Sequence, residues 1–590
     1  MMKPKKKKSS GQAKPLSSQR IAFPEPVFWK QYRLGAAILF VLPFLLYGYS
    51  ITFGYVLDDE VVASENKFVK KGLAGIWDIL STESFTGYWG NQTSMVQGAR
   101  YRPLSIVTFA LEYQIFGLNP HVSHFINVLL YALTGILLLK LLSLLFPLRG
   151  KKWFSAIPFA ASMLYIAHPL HSEAVANIKG RDEILSFLLS LGTLYASYQF
   201  LLSEKKYLPA LSAALFLLAL LAKENAITFL AVIPLTSWYF QKTNLKKLAY
   251  TFLPLLATAA VYLIIRREAI GYLLDSGKEI TGLMNNPFLG ATSEQKYATI
   301  FYTLGLYVKL LFFPHPLTHD YYPYQIPLIT WDDARAFIPL IFYFIITGYA
   351  LIFFQKKTIA SYCILYFLST LSIASNIAFN IGTFMNERFL YMPSLGFCIL
   401  VAYWLTVKIP SLFKNNSIKT TVAWGAPLLL TVAFSAKTMS RVPDWKDILT
   451  LDRAAVKISA NSARINCFYG YDLYKEAQKA AGAEQMKLVD EAMFYIDRAL
   501  KIYPTYPDAL NAKAGLLALR YQNDHDLDKL LEGFYKIQTT GLTPFIDEYL
   551  DFLERTEGKS KLVPFYQRLG RALKKTNQAQ KGDYYLKKAQ

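Results

Sequence analysis

The sequence predicts an all-α membrane protein, a bundle of about eleven membrane-spanning helices followed by a soluble helical tail. Of its 590 residues, 53% are hydrophobic and only 18% are charged, whereas a soluble protein carries about 25% charged residues. The hydrophobic residues are concentrated in runs that can cross a bilayer, which takes roughly 20 residues per helix. Lysine and arginine collect in alternate loops between these runs, as they do in polytopic membrane proteins.

The hydrophobic runs place the spanning helices along the chain. A basic arm, residues 1–33, precedes the first run, and no small-residue cleavage site follows that run, so we expect an uncleaved anchor. Ten later runs complete the bundle, which occupies residues 34–440. The predicted spans are residues 34–53, 122–146, 154–167, 183–202, 207–221, 225–240, 248–265, 336–354, 359–376, 390–407 and 420–437.

The loops between the spans alternate in charge. Basic residues lie at 149–152, 205–206, 242–247, 356–357 and 408–419, on the same side as the lysine-rich arm. The positive-inside rule places this side in the cytoplasm. With about eleven crossings, the chain that follows the last span then lies on the opposite, extracytoplasmic side.

Two apolar segments are predicted to rest at the outer membrane surface without crossing. If residues 297–313 crossed, every later basic loop would move outside and the charge bias would invert. We therefore predict a re-entrant or interfacial helix there, within a large outer loop at 266–335. Residues 103–117 receive the same interpretation, within a first outer loop at 54–121.

Residues 441–590 have the pattern of a soluble helical tail. Residues 492–504 resemble the second helix of a tetratricopeptide repeat, with small alanines for close packing and Pro504, which cannot continue the helix. A further helix opens at 506–510, and residues 566–585 repeat the pattern more weakly. We predict a tetratricopeptide-like α-solenoid of about three repeats, with a plain helical bundle as the alternative.

Acidic and basic side chains cluster just beyond the ends of the spans, all on the predicted outer face. Charge near hydrocarbon is costly and is seldom kept without use, so these clusters predict chemistry at the membrane surface. The five clusters are residues 57–60, 168–173 with 180–183, 223–224, 315–320 and 386–388.

The distribution of charge argues against nucleic-acid binding, and the cysteines argue against a disulfide framework or a zinc site. The formal net charge is +22, but much of the excess lies in the N-terminal arm and the short loops, which indicates cytoplasmic retention and attraction to anionic lipid and not nucleic-acid binding. The three cysteines, Cys363, Cys398 and Cys467, have no spacing for a disulfide framework or a zinc site.

Six motifs follow one another along residues 34–450. They are DDE at 58–60, YRPL at 101–104, HPLHSEAVA at 168–176, GRDE at 180–183, AKE at 222–224 and NERFLYMPS at 386–394. This ordered set resembles the transmembrane-and-tetratricopeptide-containing O-mannosyltransferases, which belong to the type C glycosyltransferase superfamily (GT-C). The tail is far shorter than in the animal proteins, which suggests a bacterial member located in the inner membrane, with the endoplasmic reticulum as the alternative.

The resemblance implies a GT-C fold and a glycosyltransferase whose donor is a sugar, mannose in this family, on polyprenyl or dolichyl phosphate. The acceptor is then a Ser or Thr hydroxyl of an exported polypeptide, and the enzyme works within membrane lipid, with export machinery as a further partner. The hydroxyl attacks the anomeric carbon with inversion and needs a general base. The lipid phosphate leaves and needs a cation.

Asp58 and Asp59 lie where the family carries its catalytic carboxylate. Adjacent carboxylates repel each other, so one is expected to have a raised pKa while the other stays ionised as the base. We prefer Asp59 slightly, and Glu60 is a third choice. The alternative is that these residues only cap the helix and solvate a loop.

Three basic residues are predicted to bind the donor phosphate. Arg102 and Arg388 can each hold a phosphate with two hydrogen bonds, a task that lysine performs less well. Alternatively, each reaches toward lipid headgroups. Lys223 takes a phosphate or supporting role in the context of the motif set.

The remaining candidates are polar residues expected to contact the sugar or support the site. His168, His171 and Glu173 form either a hydrogen-bonded cluster that orients the sugar or the catalytic aspartate, or a site for a divalent metal. No other cofactor is predicted. Arg181 and Asp182 pair with each other or bind the sugar, and Glu387 holds Arg388. The full set of sugar or substrate candidates is His168, His171, Glu173, Arg181, Asp182, Glu224, His319, Asp320 and Glu387.

Several other functions fit parts of the pattern. A GT-C enzyme can use a lipid or glycan acceptor, or can transfer a lipid-linked oligosaccharide to protein. A transporter or flippase would need ionisable groups at the bilayer midplane and inverted repeats, neither of which the sequence indicates. A noncatalytic scaffold that docks partners through its tail would tolerate loss of the aspartates.

Overall fold

The computed structural model describes residues 25–91, 100–148, 150–241, 244–273, 280–576 and 578–590. All regular secondary structure in these ranges is helical, which confirms the predicted all-α class. Most of the N-terminal arm, with Lys5 to Lys8, lies outside the described residues, as do Arg149 and Lys242 of the basic loops.

Sixteen α-helices precede the tail in the described ranges. They are α1 (Glu25–Tyr47), α2 (Ile76–Ser81), α3 (Thr86–Trp89), α4 (Pro103–Phe116), α5 (Pro120–Leu145), α6 (Ile157–Ala167), α7 (Ser172–Ala176), α8 (Arg181–Ser203), α9 (Leu208–Ala222), α10 (Phe229–Phe240), α11 (Leu245–Ile270), α12 (Ser293–Phe312), α13 (Ala334–Ile352), α14 (Ile359–Leu371), α15 (Ser394–Tyr403) and α16 (Asn416–Arg441).

Helical segments that are long and apolar enough to cross a membrane confirm the polytopic class. The described residues contain seven of them: Val27–Thr52, Pro120–Leu145, Ile178–Ser203, Leu245–Ile270, Ala334–Ile352, Ser394–Leu412 and Asn416–Trp445. The other four predicted spans correspond to the shorter helices α6, α9, α10 and α14. The total of about eleven crossings therefore stays a prediction.

The two segments predicted not to cross are both helical. Residues 297–313 lie in α12, which is not among the seven candidate spans and begins with a capping box at Thr292 and Gln295. Residues 103–117 form α4, a helix of 14 residues that starts with Pro103 at its first position. Proline suits this position because the first turn of a helix needs no backbone donor there. That neither helix crosses the membrane stays a prediction.

Basic loops meet one another at one end of the bundle. The Lys151 Nζ donates to the Thr406 carbonyl at 3.2 Å, in the helical segment that leads into the basic loop at 408–419, and Lys247 forms an ion pair with Glu204, next to the basic loop at 205–206. Successive spanning helices run antiparallel, so alternate loops share an end. The acidic and basic clusters lie at the opposite end, where they form the site described below.

The described part of the tail contains eight α-helices. Ala492 and Ala499 are fully buried in its core, as the repeat pattern predicts, and the helix that carries them ends at Ile502, before Pro504. The helical character is confirmed, and the assignment to tetratricopeptide repeats stays a prediction. The helices are α17 (Ile448–Ile458), α18 (Ala463–Lys479), α19 (Gly482–Ile502), α20 (Pro507–Asp524), α21 (Leu527–Thr540), α22 (Pro544–Leu553), α23 (Lys559–Lys574) and α24 (Ala579–Lys588).

The predicted orientation has a direct test with single cysteines. Ser440 and Ser203 are both exposed, at opposite ends of the bundle, while the native cysteines are buried. In intact cells we expect Ser440→Cys to react with an impermeant thiol reagent and Ser203→Cys to react only after the membrane is permeabilised. The reverse labelling pattern would overturn the topology.

Candidate active site

Charged residues that are far apart in the sequence meet at one end of the bundle. Arg102, which precedes α4, donates to the Asp182 carboxylate at the start of α8 over 2.8 Å, and its Nε donates to Glu224, which follows α9, over 2.9 Å. The backbone amide of Lys179 donates to Asp59, after the first span, over 2.7 Å. Four of the predicted motifs therefore contribute to one connected network.

The two adjacent aspartates have different environments. Asp59 is completely buried, and its two carboxylate oxygens accept hydrogen bonds from the backbone amides of Val56 at 2.9 Å and Lys179 at 2.7 Å. Asp58 is partly exposed, and no described residue donates a hydrogen bond to its carboxylate. The preceding Leu57 has a φ of 50°, a strained value for a residue other than glycine. This turn directs Asp59 inward and leaves Asp58 at the surface of the site.

The electrostatics of the pair follow from these positions. Burial raises the pKa of Asp59 to about 7, against the opposing effect of its backbone hydrogen bonds. Burial also acts to raise the pKa of Asp58, but the charges of neighbouring cations outweigh it and lower that pKa below its ordinary value. The pair is thus split, as expected from the sequence, but the ionised member is Asp58 and not Asp59, which the sequence slightly favoured as the base.

Four cations act on Asp58, and each comes from a different part of the chain. They are Lys179, Arg100, Arg388 and Arg464. Sequence reasoning selected only Arg388. Lys179 lies directly between two motifs, and Arg100 stands two residues before Arg102, so proximity to the motifs was a usable signal for both. Arg464 belongs to the tail and carried no such signal.

A cavity opens beside this cluster. Its polar lining includes Arg100, Arg102, Lys179 and Asp182, and its apolar lining includes Phe109. The Arg100 guanidinium lies over the Phe85 ring at 4.7 Å. The charged part of this lining, three cations and one carboxylate, is net positive, which favours an anionic group over a neutral one.

All three predicted phosphate ligands have carboxylate partners, and two of them are largely buried with those partners. Glu224 accepts two hydrogen bonds from the Arg102 guanidinium, one from Nε and one from a terminal nitrogen at 2.5 Å. The other terminal nitrogen donates to Asp182. Lys223 is buried and forms an ion pair with Glu183. These cations hold the carboxylates in place, and a direct phosphate contact of Arg102 or Lys223 stays a prediction.

The third, Arg388, is partly exposed and is held by Glu173. Glu173 accepts a hydrogen bond from the Arg388 backbone amide at 3.1 Å and forms an ion pair with the Arg388 guanidinium. The Arg388 side chain remains 22% exposed. We expected Glu387 to hold Arg388, and this was wrong. Glu387 instead accepts from the Thr318 amide at 2.5 Å and the Tyr321 hydroxyl at 2.9 Å, and burial raises its pKa to about 8.

The two histidines make hydrogen bonds inside the bundle. His168 accepts from the Leu170 amide at 3.3 Å and donates to the Leu311 carbonyl at 3.1 Å, while His171 lies between the hydroxyls of Tyr131 and Ser394 at 2.8 and 2.9 Å. No group of three His, Cys, Asp or Glu side chains in the described ranges is arranged to hold a metal. Both rings are fully buried, and burial lowers the pKa of His168 to about 4, so it is neutral. These contacts give both rings a structural role, and the predicted metal or sugar contact stays a prediction.

Arg181 does not pair with Asp182, contrary to one of the two expectations for it. Its guanidinium is completely buried, forms an ion pair with Glu112 and donates to Asn127 at 2.8 Å and to the Ser123 carbonyl at 2.9 Å. These contacts leave it no route to a substrate. Arg181 therefore anchors the first outer loop to the bundle.

His319 and Asp320 contact the tail. The His319 ring nitrogen lies 3.4 Å from the Asp452 carboxylate, and burial lowers the pKa of His319 to about 3. Asp320 is completely buried and forms an ion pair of 2.7 Å with Arg464. Both side chains are thus engaged by the tail, and their predicted contact with the sugar stays a prediction.

Comparison with known proteins places this geometry among relatives of one kind. No protein-family model matches the chain. Protein O-mannosyl-transferase TMTC3 of Homo sapiens is 27% identical over 465 residues, covering 73% of this chain and 48% of its own length. Protein O-mannosyl-transferase TMTC1 of Homo sapiens is 26% identical, with coverages of 81% and 56%, and protein O-mannosyl-transferase F38B6.6 of Caenorhabditis elegans is 28% identical, with 72% and 58%. The chain spans about half the length of the curated relatives it matches.

Proposed function

We propose that this chain is a membrane glycosyltransferase of the same family as these O-mannosyl-transferases. It transfers a sugar, mannose by analogy with the relatives, from a polyprenyl-phosphate carrier to Ser or Thr hydroxyls of polypeptides. Two things support the proposal: the similarity to proteins that carry this name over most of the chain, and a site whose charges suit the reaction.

The observation that carries the proposal is a partly exposed carboxylate that lies in the electrostatic field of four cations. Asp58 is partly exposed, and Lys179, Arg100, Arg388 and Arg464 all act on it. Three of these cations also pair with other carboxylates, Lys179 with Asp182, Arg388 with Glu173 and Arg464 with Asp320, but Arg388 and Arg464 stay partly exposed and can attract a further anion. A lipid-linked sugar phosphate supplies that anion, and it places its phosphate next to the one carboxylate that can act as a base.

The reaction needs two groups at this point. The acceptor oxygen forms a bond to the anomeric carbon while the bond from that carbon to the phosphate oxygen breaks, which inverts the configuration. Asp58 takes the proton of the attacking hydroxyl, and the departing phosphate keeps the bonding electrons. The cations stabilise the charge that develops on that phosphate.

The cations affect the basicity of Asp58 in a way that couples it to donor binding. In the free protein they lower its pKa. A phosphate bound among Arg100, Arg388 and Lys179 neutralises part of their charge, so the basicity of Asp58 rises when the donor is in place. Asp59, fixed by two backbone amides, holds the turn and does not reach the hydroxyl.

The orientation and partners complete the proposal. The site lies at the end of the bundle opposite the basic loops, and from the positive-inside rule we infer that this end faces the extracytoplasmic side. The acceptor is then a polypeptide on its way out of the cytoplasm, delivered beside export machinery, and the carrier lipid stays in the bilayer. We place the protein in a bacterial inner membrane, with the endoplasmic reticulum as the alternative.

The donor class can be tested with the purified full chain in lipid vesicles. We expect hexose transfer to a Ser/Thr-rich peptide from polyprenyl-phosphate mannose and none from a nucleotide-linked mannose. The cations of the site lie beside the membrane, where a lipid phosphate but not a soluble diphosphate is held. Transfer from the nucleotide donor alone would contradict the proposal. Transfer to a glycolipid in place of the peptide would reassign the acceptor.

A further inference from the structure

The first helices of the tail are fastened to an outer loop of the membrane part. The Tyr324 amide donates to the Asn461 carbonyl at 3.0 Å, and the Ala463 amide donates to the Pro323 carbonyl at 2.9 Å. This reciprocal pair of backbone hydrogen bonds fixes the start of α18 against residues 317–326. The tail is therefore in direct contact with the segment that adjoins the site.

Asp320 is the centre of this contact. Its buried carboxylate accepts from the Ser462 hydroxyl at 2.7 Å and from the Arg464 Nε at 2.7 Å, and its backbone carbonyl accepts from the Ser459 hydroxyl at 2.6 Å. Three residues of the tail thus converge on one residue of the loop. These hydrogen bonds restrict the position of the Arg464 side chain.

Contacts with the described residues hold the Arg464 guanidinium in one orientation but do not engage all of its hydrogen-bond donors. It lies 3.4 Å from the centre of the Tyr322 ring, and Nε is bonded to Asp320. Within the described ranges, its two terminal nitrogens have no hydrogen-bond partner, and 20% of the side chain is exposed. Its charge acts on Asp58. A flat guanidinium held from behind, with its terminal edge free, has the geometry of a two-point anion contact.

We propose that Arg464 binds the phosphate of the lipid-linked donor, so that the tail supplies part of the active site. This inference rests on the proposed function. Arg464 and Arg388 then approach the phosphate from the tail and from the membrane part, respectively. Arg102 and Lys223, which the sequence favoured for this role, are occupied by Glu224 and Glu183. The tail consequently cannot be removed without loss of donor binding.

The competing explanation is that Arg464 only fastens the loop through Asp320. The two explanations differ in what Arg464→Lys should do. A lysine keeps a positive charge near Asp320 and can hold the loop, but it lacks the second, terminal donor pair that a phosphate would bind. Loss of donor affinity without loss of stability therefore identifies the phosphate contact.

A matched control exists elsewhere in the tail. Arg568 forms an ion pair of 2.7 Å with Glu532 and lies 3.9 Å from the centre of the Tyr535 ring, the same combination of carboxylate and aromatic partner. It belongs to α23, and no residue of the site contacts it in the described ranges. Arg568→Lys therefore reports what such a substitution does to the tail alone.

The test measures binding of sugar-free polyprenyl phosphate to the full-length protein in lipid nanodiscs, together with its thermal midpoint and the donor KM. For Arg464→Lys and Arg464→Gln we expect affinity to fall about tenfold to a hundredfold, the usual effect of losing a hydrogen-bonded charge pair. The donor KM should rise in parallel. The thermal midpoint of Arg464→Lys should equal that of Arg568→Lys. The affinity of Arg568→Lys for polyprenyl phosphate should equal that of the wild type.

Three results would overturn the inference. Normal polyprenyl-phosphate affinity in Arg464→Lys shows that Arg464 does not bind the phosphate, even if Arg464→Gln is too unstable to study. An affinity loss that only parallels a fall in thermal midpoint shows a fastening role. If the wild-type protein itself binds no polyprenyl phosphate, the proposed function fails and the inference fails with it.

Discussion

Asp58→Asn should reduce sugar transfer by about a hundredfold to ten-thousandfold, the usual loss when a positioned general base is removed. Asparagine has nearly the same shape but cannot accept the proton of the acceptor hydroxyl. The Asp58 carboxylate is partly exposed and accepts no hydrogen bond from the described residues, so expression and thermal stability should stay close to wild type. Initial rates with the purified protein and a lipid-linked donor measure the effect.

Asp59→Asn is the matched control, and we expect it to lose more stability and less activity than Asp58→Asn. Asp59 is buried, and each of its oxygens accepts a backbone hydrogen bond. An asparagine presents an NH2 group to one of these amides, so one bond becomes a clash between donors and the thermal midpoint should fall. Activity should decline through the disturbed turn but not vanish. Full transfer by Asp58→Asn, with loss confined to Asp59→Asn, would assign the base to Asp59.

The pH profile separates the two aspartates without a mutation. A base must be ionised, so activity falls as pH drops through its pKa. The pKa of Asp58 is below its ordinary value near 3.8, which predicts a constant kcat/KM between pH 7.5 and 5.5 as far as this group is concerned. The pKa of Asp59 is about 7, and a base with that pKa would lose activity about tenfold per pH unit below it.

Arg181→Met should have the largest effect on stability. The substitution leaves Glu112, which is also buried, without the cation that compensates it, and it breaks the hydrogen bonds to Asn127 and the Ser123 carbonyl. Removing one partner of a buried ion pair costs about 3–5 kcal/mol. We expect a markedly lower thermal midpoint in detergent and poor expression.

An exposed arginine provides the comparison for this substitution. Arg335 pairs with Asp333 at 2.6 Å, but about half of its side chain is exposed. Exposed ion pairs contribute about 0–1 kcal/mol, so Arg335→Met should leave the midpoint nearly unchanged. Equal thermal midpoints for Arg181→Met and Arg335→Met would show that the ion pair and hydrogen bonds of Arg181 do not contribute to stability.

The sequence predicted the class of the fold and the gathering of the charged motifs because both follow from local patterns. Hydrophobic runs specify helices in lipid, and alternating loops must share an end of the bundle. Arg102, Asp182 and Glu224 meet in the structure for this reason, although they are separated by up to 122 residues.

The roles of individual side chains could not be predicted in the same way. Asp58 and Asp59 are neighbours, and only the backbone turn at Leu57 decides which one is buried. Arg181 and Asp182 look like an ion pair in the sequence, but successive residues at the start of a helix point in different directions, so each finds another partner. Arg464 lies 144 residues from Asp320, in another domain, and no periodicity or motif links the two.

One measurement tests the central claim most directly, namely site-resolved mass spectrometry of exported proteins from cells that carry the wild-type chain, the Asp58→Asn variant or neither. The proposed function predicts hexose on Ser and Thr residues with the wild-type chain, and its loss both with Asp58→Asn and without the chain. The same Ser and Thr residues carrying hexose in all three cases would contradict it.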